Sequence, residues 1–186
     1  DVEYLYEAPL AMEQEHLAQA ACECLNLPCP EPDLTDWKSM VEALRSPVHE
    51  ITIALVGKYI SLHDAYISVV EALKHGGIAS HATVNIRWIN SEDVTAENAD
   101  SLLSDVDGIL VPGGFGDRGI EGKIEAIRYA REHQIPFLGL CLGMQLAIVE
   151  YARHVAGLED AHSIELNPQT PYPVIALLPD QNGVED

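Results

Sequence analysis

The sequence predicts an α/β fold: a mostly parallel sheet with helices on both faces, preceded by a mainly helical segment. Three observations carry that expectation. From Glu50 onward, short apolar runs alternate with stretches of helical spacing, the pattern of a parallel sheet covered on both faces. Two of those runs open into glycine-rich turns, Val111-Pro-Gly-Gly-Phe-Gly116 and Gly139-Leu-Cys-Leu-Gly143. Before Glu50 the chain instead shows helical spacing broken by Asn26-Leu-Pro-Cys-Pro-Glu-Pro-Asp33, a linker-like stretch of turn residues.

In chain order, helix is expected from about Leu10 to Leu25 and from Asp36 to Leu44, with Thr35 placed to cap the second. Strands are expected at Ile51 to Val56, Thr83 to Ile89, Gly108 to Val111, Pro136 to Leu140 and Val174 to Leu178, each a short run rich in branched apolar residues. Helices fit Asp64 to His75, Asn98 to Leu103, Ile120 to His133 and Leu142 to His154. Ligands of such sheets bind beyond the carboxyl ends of the strands, the edge that would hold Gly57-Lys-Tyr59, Pro112 to Gly116 and Cys141. No internal repeat or low-complexity tract is visible.

At 186 residues and 47% hydrophobic, the chain can bury a full core. A formal charge of −20 argues against a nucleic-acid or anionic-membrane surface. No apolar run approaches about 20 residues, and an amino terminus carrying Asp1, Glu3 and Glu7 does not read as a signal peptide. A cytoplasmic location is therefore expected, with the four cysteines reduced. Cys22, Cys24 and Cys29 crowd one segment, but Cys-x-Cys-x4-Cys is not a usual zinc spacing, and packed thiols are the plainer reading. No metal ligand set is expected in this chain.

Cys141 carries the chemistry. An apolar run of five ends on it and a helical pattern starts after it, so it occupies a strand-to-helix elbow. Gly139 and Gly143 stand where side chains would clash with that turn. The helix amino terminus directs free N–H groups and a positive dipole at the sulfur, favouring the reactive thiolate. A buried, inert cysteine is the competing reading of Gly-x-Cys-x-Gly alone. The upstream loop, with Gly113, Gly114, Gly116 and Gly119, tips the balance. Its Gly-x-Gly-x-x-Gly spacing suits a dinucleotide site, but the following strand ends in Cys141 rather than an acid for a ribose, and Asp117 would repel a pyrophosphate. An oxyanion hole explains both motifs: the N–H groups of Gly114 and Leu142 would hold the oxyanion formed when Cys141 attacks an amide or ester carbonyl.

Gly-Gly-Phe-Gly upstream of Gly-Leu-Cys-Leu-Gly-Met-Gln resembles the class I glutamine amidotransferases, which have a flavodoxin-like sheet. Val56-Gly-Lys-Tyr59, Asp64-Ala-Tyr66, Glu71-Ala-Leu-Lys-His-Gly-Gly77 and Arg118-Gly-Ile-Glu-Gly122 narrow the likeness to the CTP-forming ligases among them. Asp1-Val2-Glu3 with Tyr6 and Pro9 resembles the end of their synthetase domain, and Pro28-Cys-Pro-Glu with Leu34 and Trp37 their interdomain linker. The resemblance implies residues 1–20 as synthetase tail, 21–49 as linker and 50–186 as amidotransferase domain. It further implies ATP-driven amination of UTP to CTP, with L-glutamine hydrolysed here through a cysteine thioester. Cys141 would be the nucleophile, Gly114 and Leu142 the oxyanion donors, and Gly114, Leu142, Gly143, Met144 and Gln145 the glutamine site. Glu165, in His162-Ser-Ile-Glu165, would bind the substrate ammonium, although a solvated loop carboxylate reads the same way. Asp1 and Val2 would be the remnant of an ATP contact. ATP and magnesium would belong to the synthetase domain, GTP would activate near Phe115 to Glu121, and the complete enzyme would form dimers and tetramers.

The sequence also departs from the family pattern. No His-x-Glu pair follows the nucleophile, and the arginine for the glutamine carboxylate is missing, so the chain reads as a fragment that would not turn over glutamine alone. A domain of the same fold kept only for binding or regulation, and a cysteine hydrolase or peptidase, remain alternatives.

Overall fold

The computed structural model describes residues 2–178, and the chain forms two compact units. One takes the residues up to Glu50 together with Leu73–Thr83, and the other Ile51–Ala72 and the residues from Val84 on.

The first unit is built from helices. The single helix expected from Leu10 to Leu25 is two, α1 (Ala8–Gln14) and α2 (Leu17–Leu25), because His16 between them takes a left-handed φ of 57° that no helix can continue through. α2 ends on Asn26, also left-handed, with the Leu27 N–H turned back onto the Cys22 carbonyl at 2.9 Å. α3 (Thr35–Arg45) begins where expected, but its first turn is tied differently. Asp33, not Thr35, is the acceptor, its carboxylate taking the Thr35 N–H at 3.0 Å and the Thr35 hydroxyl at 2.7 Å. The Trp37 indole donates to the Tyr6 carbonyl at 2.7 Å, and Arg45 pairs with the buried Glu7 at 2.7 Å, which lowers the Glu7 carboxyl below its ordinary value.

The second unit carries the sheet. Strands β1 (His49–Gly57), β2 (Ala82–Asn90), β3 (Gly108–Val111) and β4 (Phe137–Gly139) lie in the order β2-β1-β3-β4, with β1–β3 and β3–β4 parallel. That order is the start of the flavodoxin-like arrangement, and its switch point lies between β1 and β3. The helices α4 (Ile67–Ala79), α5 (Ala99–Leu103), α6 (Ile120–Glu132) and α7 (Leu142–His154) complete the alternation. Ala54, Val56, Ile109 and Val111 from the strands meet Ile120, Ile124, Ile127, Leu146 and Val149 from α6 and α7 in one core. Glu150 of α7, 1% exposed, is held by a two-pronged contact from Arg131 of α6, at 2.9–3.1 Å.

Two expectations are corrected here. The run Val174 to Leu178 does not join the main sheet: β6 (Tyr172–Ile175) pairs with a short unforeseen strand, β5 (Ala161–Ser163), in a separate two-stranded parallel sheet, and Leu177 and Leu178 stand 60% exposed. The helix expected from Asp64 starts at Ile67, after a 3-10 turn over His63–Tyr66. Among the described residues no helix is long and apolar enough to cross a membrane.

Candidate active site

Cys141 stands between β4 and α7 with φ 51° and ψ −105°, a conformation strained for any residue with a side chain. The flanking glycines are what permit it. A Cβ on Gly139 would lie 2.5 Å from the Gly143 carbonyl carbon, and one on Gly143 would lie 2.1 Å from the Val111 carbonyl oxygen. The sharp turn leaves Cys141 exposed at the carboxyl edge of the sheet, as a nucleophile elbow requires. As the first residue of α7, Leu142 has an N–H without an intrahelical acceptor, whereas the Gly143 N–H is taken by the Leu140 carbonyl at 2.9 Å.

The glycine loop after β3 comes up beside the elbow. A Cβ built on Gly113 would lie 3.3 Å from Cys141 Cβ and 3.8 Å from its Sγ. Gly114 follows, half-buried, and Phe115 projects into solvent at 84% exposure. Gly116 and Gly119 adopt φ values of 77° and 73°, which β-carbon-bearing residues rarely take. Gly122 lets α6 approach closely, since a Cβ there would lie 1.8 Å from the Ser91 carbonyl oxygen.

Of the expected glutamine-site residues, Gly114 is on the loop, Leu142 and Gly143 are buried in the first turn of α7, Met144 is 55% exposed and Gln145 half-buried. Glu165 is exposed on the turn after β5, and among the described residues its carboxylate has no ion-pair partner. His162, with its imidazole pKa lowered by burial and by Arg153, accepts the N–H of Ser163. Among the described residues no histidine hydrogen-bonds Cys141, and no three His, Cys, Asp or Glu side chains converge to hold a metal ion. Val2 is 41% exposed, and Asp1 lies outside the described residues.

Two lysines stand near the loop: Lys58, which the sequence places at the ligand-binding edge without a role of its own, and Lys123, which it does not single out. Lys58, just after β1, donates its ammonium to the Phe115 carbonyl, while Arg118 donates back to the Lys58 carbonyl at 3.2 Å. Both cations lean on the Tyr59 ring, at 5.3 and 5.6 Å from its centre. Beneath them the Tyr66 hydroxyl accepts the N–H groups of Lys58 at 3.2 Å and Tyr59 at 3.4 Å, with Gly57 packed against its ring. Lys123 of α6 is 1% exposed, and burial, helped by the nearby Lys58 charge, brings its pKa down to about 8. The signal for Lys123 was present in the sequence, because it shares the inward helical spacing of Ile120, Ile124 and Ile127.

Comparison with known proteins agrees with this geometry. A family model described as "Glutamine amidotransferase class-I" matches residues 61–172. Proteins named CTP synthase are similar along the whole chain, that of Clostridium acetobutylicum at 63% identity and that of Geobacillus kaustophilus at 60%, each over 186 residues. The chain spans 35% of the length of each of these relatives. A solved structure titled as the glutaminase domain of Trypanosoma brucei CTPS with bound acivicin matches at TM-score 0.68 and 38% identity, over 72% of this chain and 52% of that one.

Proposed function

This chain belongs to the class-I glutamine amidotransferase family, and from that premise we propose that it is the glutaminase part of a CTP-forming ligase. The observation that carries the proposal is the strained Cys141 elbow with Gly113 beside it and α7 starting immediately after. In this reading the Cys141 Sγ attacks the side-chain carbonyl carbon of L-glutamine, and the N–H groups of Leu142 and Gly114 receive the oxyanion. The C–N bond breaks, its nitrogen takes a proton and leaves as ammonia, and water hydrolyses the thioester to glutamate. Gly143, Met144 and Gln145 line the substrate site, and Glu165, whose carboxylate is unpaired among the described residues, meets the glutamine ammonium. The base for the Cys141 proton is assigned to a histidine of the complete enzyme, since no histidine of the described residues bonds the thiol.

The identity to proteins named CTP synthase supports extending the proposal to the complete enzyme. There the ammonia would aminate UTP at the expense of ATP, with magnesium and ATP held mainly by the synthetase domain and GTP acting as activator near Phe115 to Glu121. Residues 1–20 would be the end of the synthetase domain, with Asp1 and Val2 the remnant of an ATP contact, residues 21–49 would link the two activities, and the enzyme would work as a cytoplasmic dimer or tetramer.

Alkylation tests the substrate class. Glutamine is expected to slow the reaction of Cys141 with iodoacetamide in the complete enzyme, whereas short peptides leave it unchanged. Protection by peptides and not by glutamine would indicate a peptidase instead.

A further inference from the structure

Among the described residues, the side-chain hydrogen bonds that tie the oxyanion loop to the rest of the protein all involve Lys58. From Pro112 to Arg118 the described residues make three hydrogen bonds leaving the loop: the Lys58 ammonium donates to the Phe115 carbonyl, Arg118 donates to the Lys58 carbonyl, and the Ile120 N–H at the start of α6 donates to the Asp117 carbonyl at 3.3 Å. The remaining polar tie is an ion pair of Arg118 with Glu92 at 3.6 Å between two partly exposed side chains, a weak restraint. Three of these seven residues are glycine, so the loop has little conformational preference of its own. Lys58 itself is well anchored, because the Tyr66 hydroxyl fixes its backbone N–H and β1 runs directly into it. The arrangement sits at the β1/β3 switch point, and Gly114, whose Cβ position would be 3.7 Å from Lys58 Cε, lies one residue from the pinned carbonyl.

We infer that Lys58 is a positioning residue for glutamine hydrolysis, latching the glycine loop so that the Gly114 N–H stays aimed at the oxyanion beside Cys141. The inference rests on the glutaminase reading and deepens it. A donor fixed before reaction stabilises developing charge without reorganising, and a loop freed to move loses that advantage in kcat more than in substrate affinity. Losing one such donor outright costs about 100- to 1,000-fold in kcat, so loosening it should cost about 10- to 100-fold.

The test uses the complete enzyme at fixed nucleotide concentrations, comparing wild type with Lys58→Met and Lys58→Arg. Lys58→Met is expected to lower kcat for glutamine hydrolysis about 10- to 100-fold while KM moves less than about threefold, and Lys58→Arg, which still donates, to recover most of the loss. Alkylation of Cys141 by iodoacetamide, a displacement at carbon that needs no oxyanion hole, should keep its wild-type rate in both variants. An unchanged kcat in Lys58→Met, or an alkylation rate that falls in step with kcat, would overturn the inference. Wild-type enzyme without Cys141-dependent hydrolysis would instead sink the glutaminase reading, and this inference with it.

Discussion

Replacing Lys123 by methionine should stabilise the protein at neutral pH and leave it unchanged at high pH. The lysine is 1% exposed on α6, has no ion pair among the described residues, and has its pKa brought from 10.5 to about 8 by burial first and by the Lys58 charge second. At about 1.4 kcal/mol per pH unit, that gap is worth up to about 3 kcal/mol of disfavoured charge at pH 7. The unfolded chain binds the proton more tightly than the folded one between pH 8 and 10.5, so wild-type stability rises with pH across that window. Methionine fills a similar length without a charge and removes the rise. Urea unfolding from pH 7 to 10.5 reads the difference between variant and wild type, in which all other titrating groups cancel. The variant should lead by about 1 to 3 kcal/mol at pH 7, and the lead should close by pH 10.5. A wild type more stable at pH 7, or a gap that does not change with pH, would refute an ammonium disfavoured by burial.

Two further substitutions probe the frame of the elbow. Gly143→Ala would drive a Cβ to 2.1 Å from the Val111 carbonyl oxygen, so it should shift α7 and lower thermal stability measurably, with iodoacetamide labelling of Cys141 changed in parallel. Arg131→Ala leaves the Glu150 carboxylate buried without its guanidinium partner and should cost about 3 kcal/mol in denaturant unfolding, with part of the loss recovered in Arg131→Ala/Glu150→Gln.

The elements nearest the chemistry were the most legible in the sequence, for a physical reason. Gly108 to Val111 and Leu142 to His154 were read to the residue because each is bounded by glycine, proline or a forced turn, and Ile120 to His133 ended one residue early. The elbow was readable because only glycine fits at 139 and 143. The break at His16 was not, since nothing in histidine's propensity announces a left-handed φ. Val174 to Leu178 has the composition of a core strand, yet its partner is β5, a pairing that hydrophobic patterning does not encode. Lys58 was placed at the ligand-binding edge within Gly57-Lys-Tyr59 but without a role, because its contact lies 57 residues away, whereas Lys123 was missed because it occupies an apolar position that its charge disguised.

The most direct test is CTP formation by the complete enzyme, wild type and Cys141→Ala, from UTP and ATP with either glutamine or free ammonia as nitrogen source. Cys141→Ala should abolish the glutamine-dependent reaction and retain the ammonia-dependent one. Equal loss of both, or glutamine-dependent CTP that survives the substitution, would contradict Cys141 as the glutaminase nucleophile.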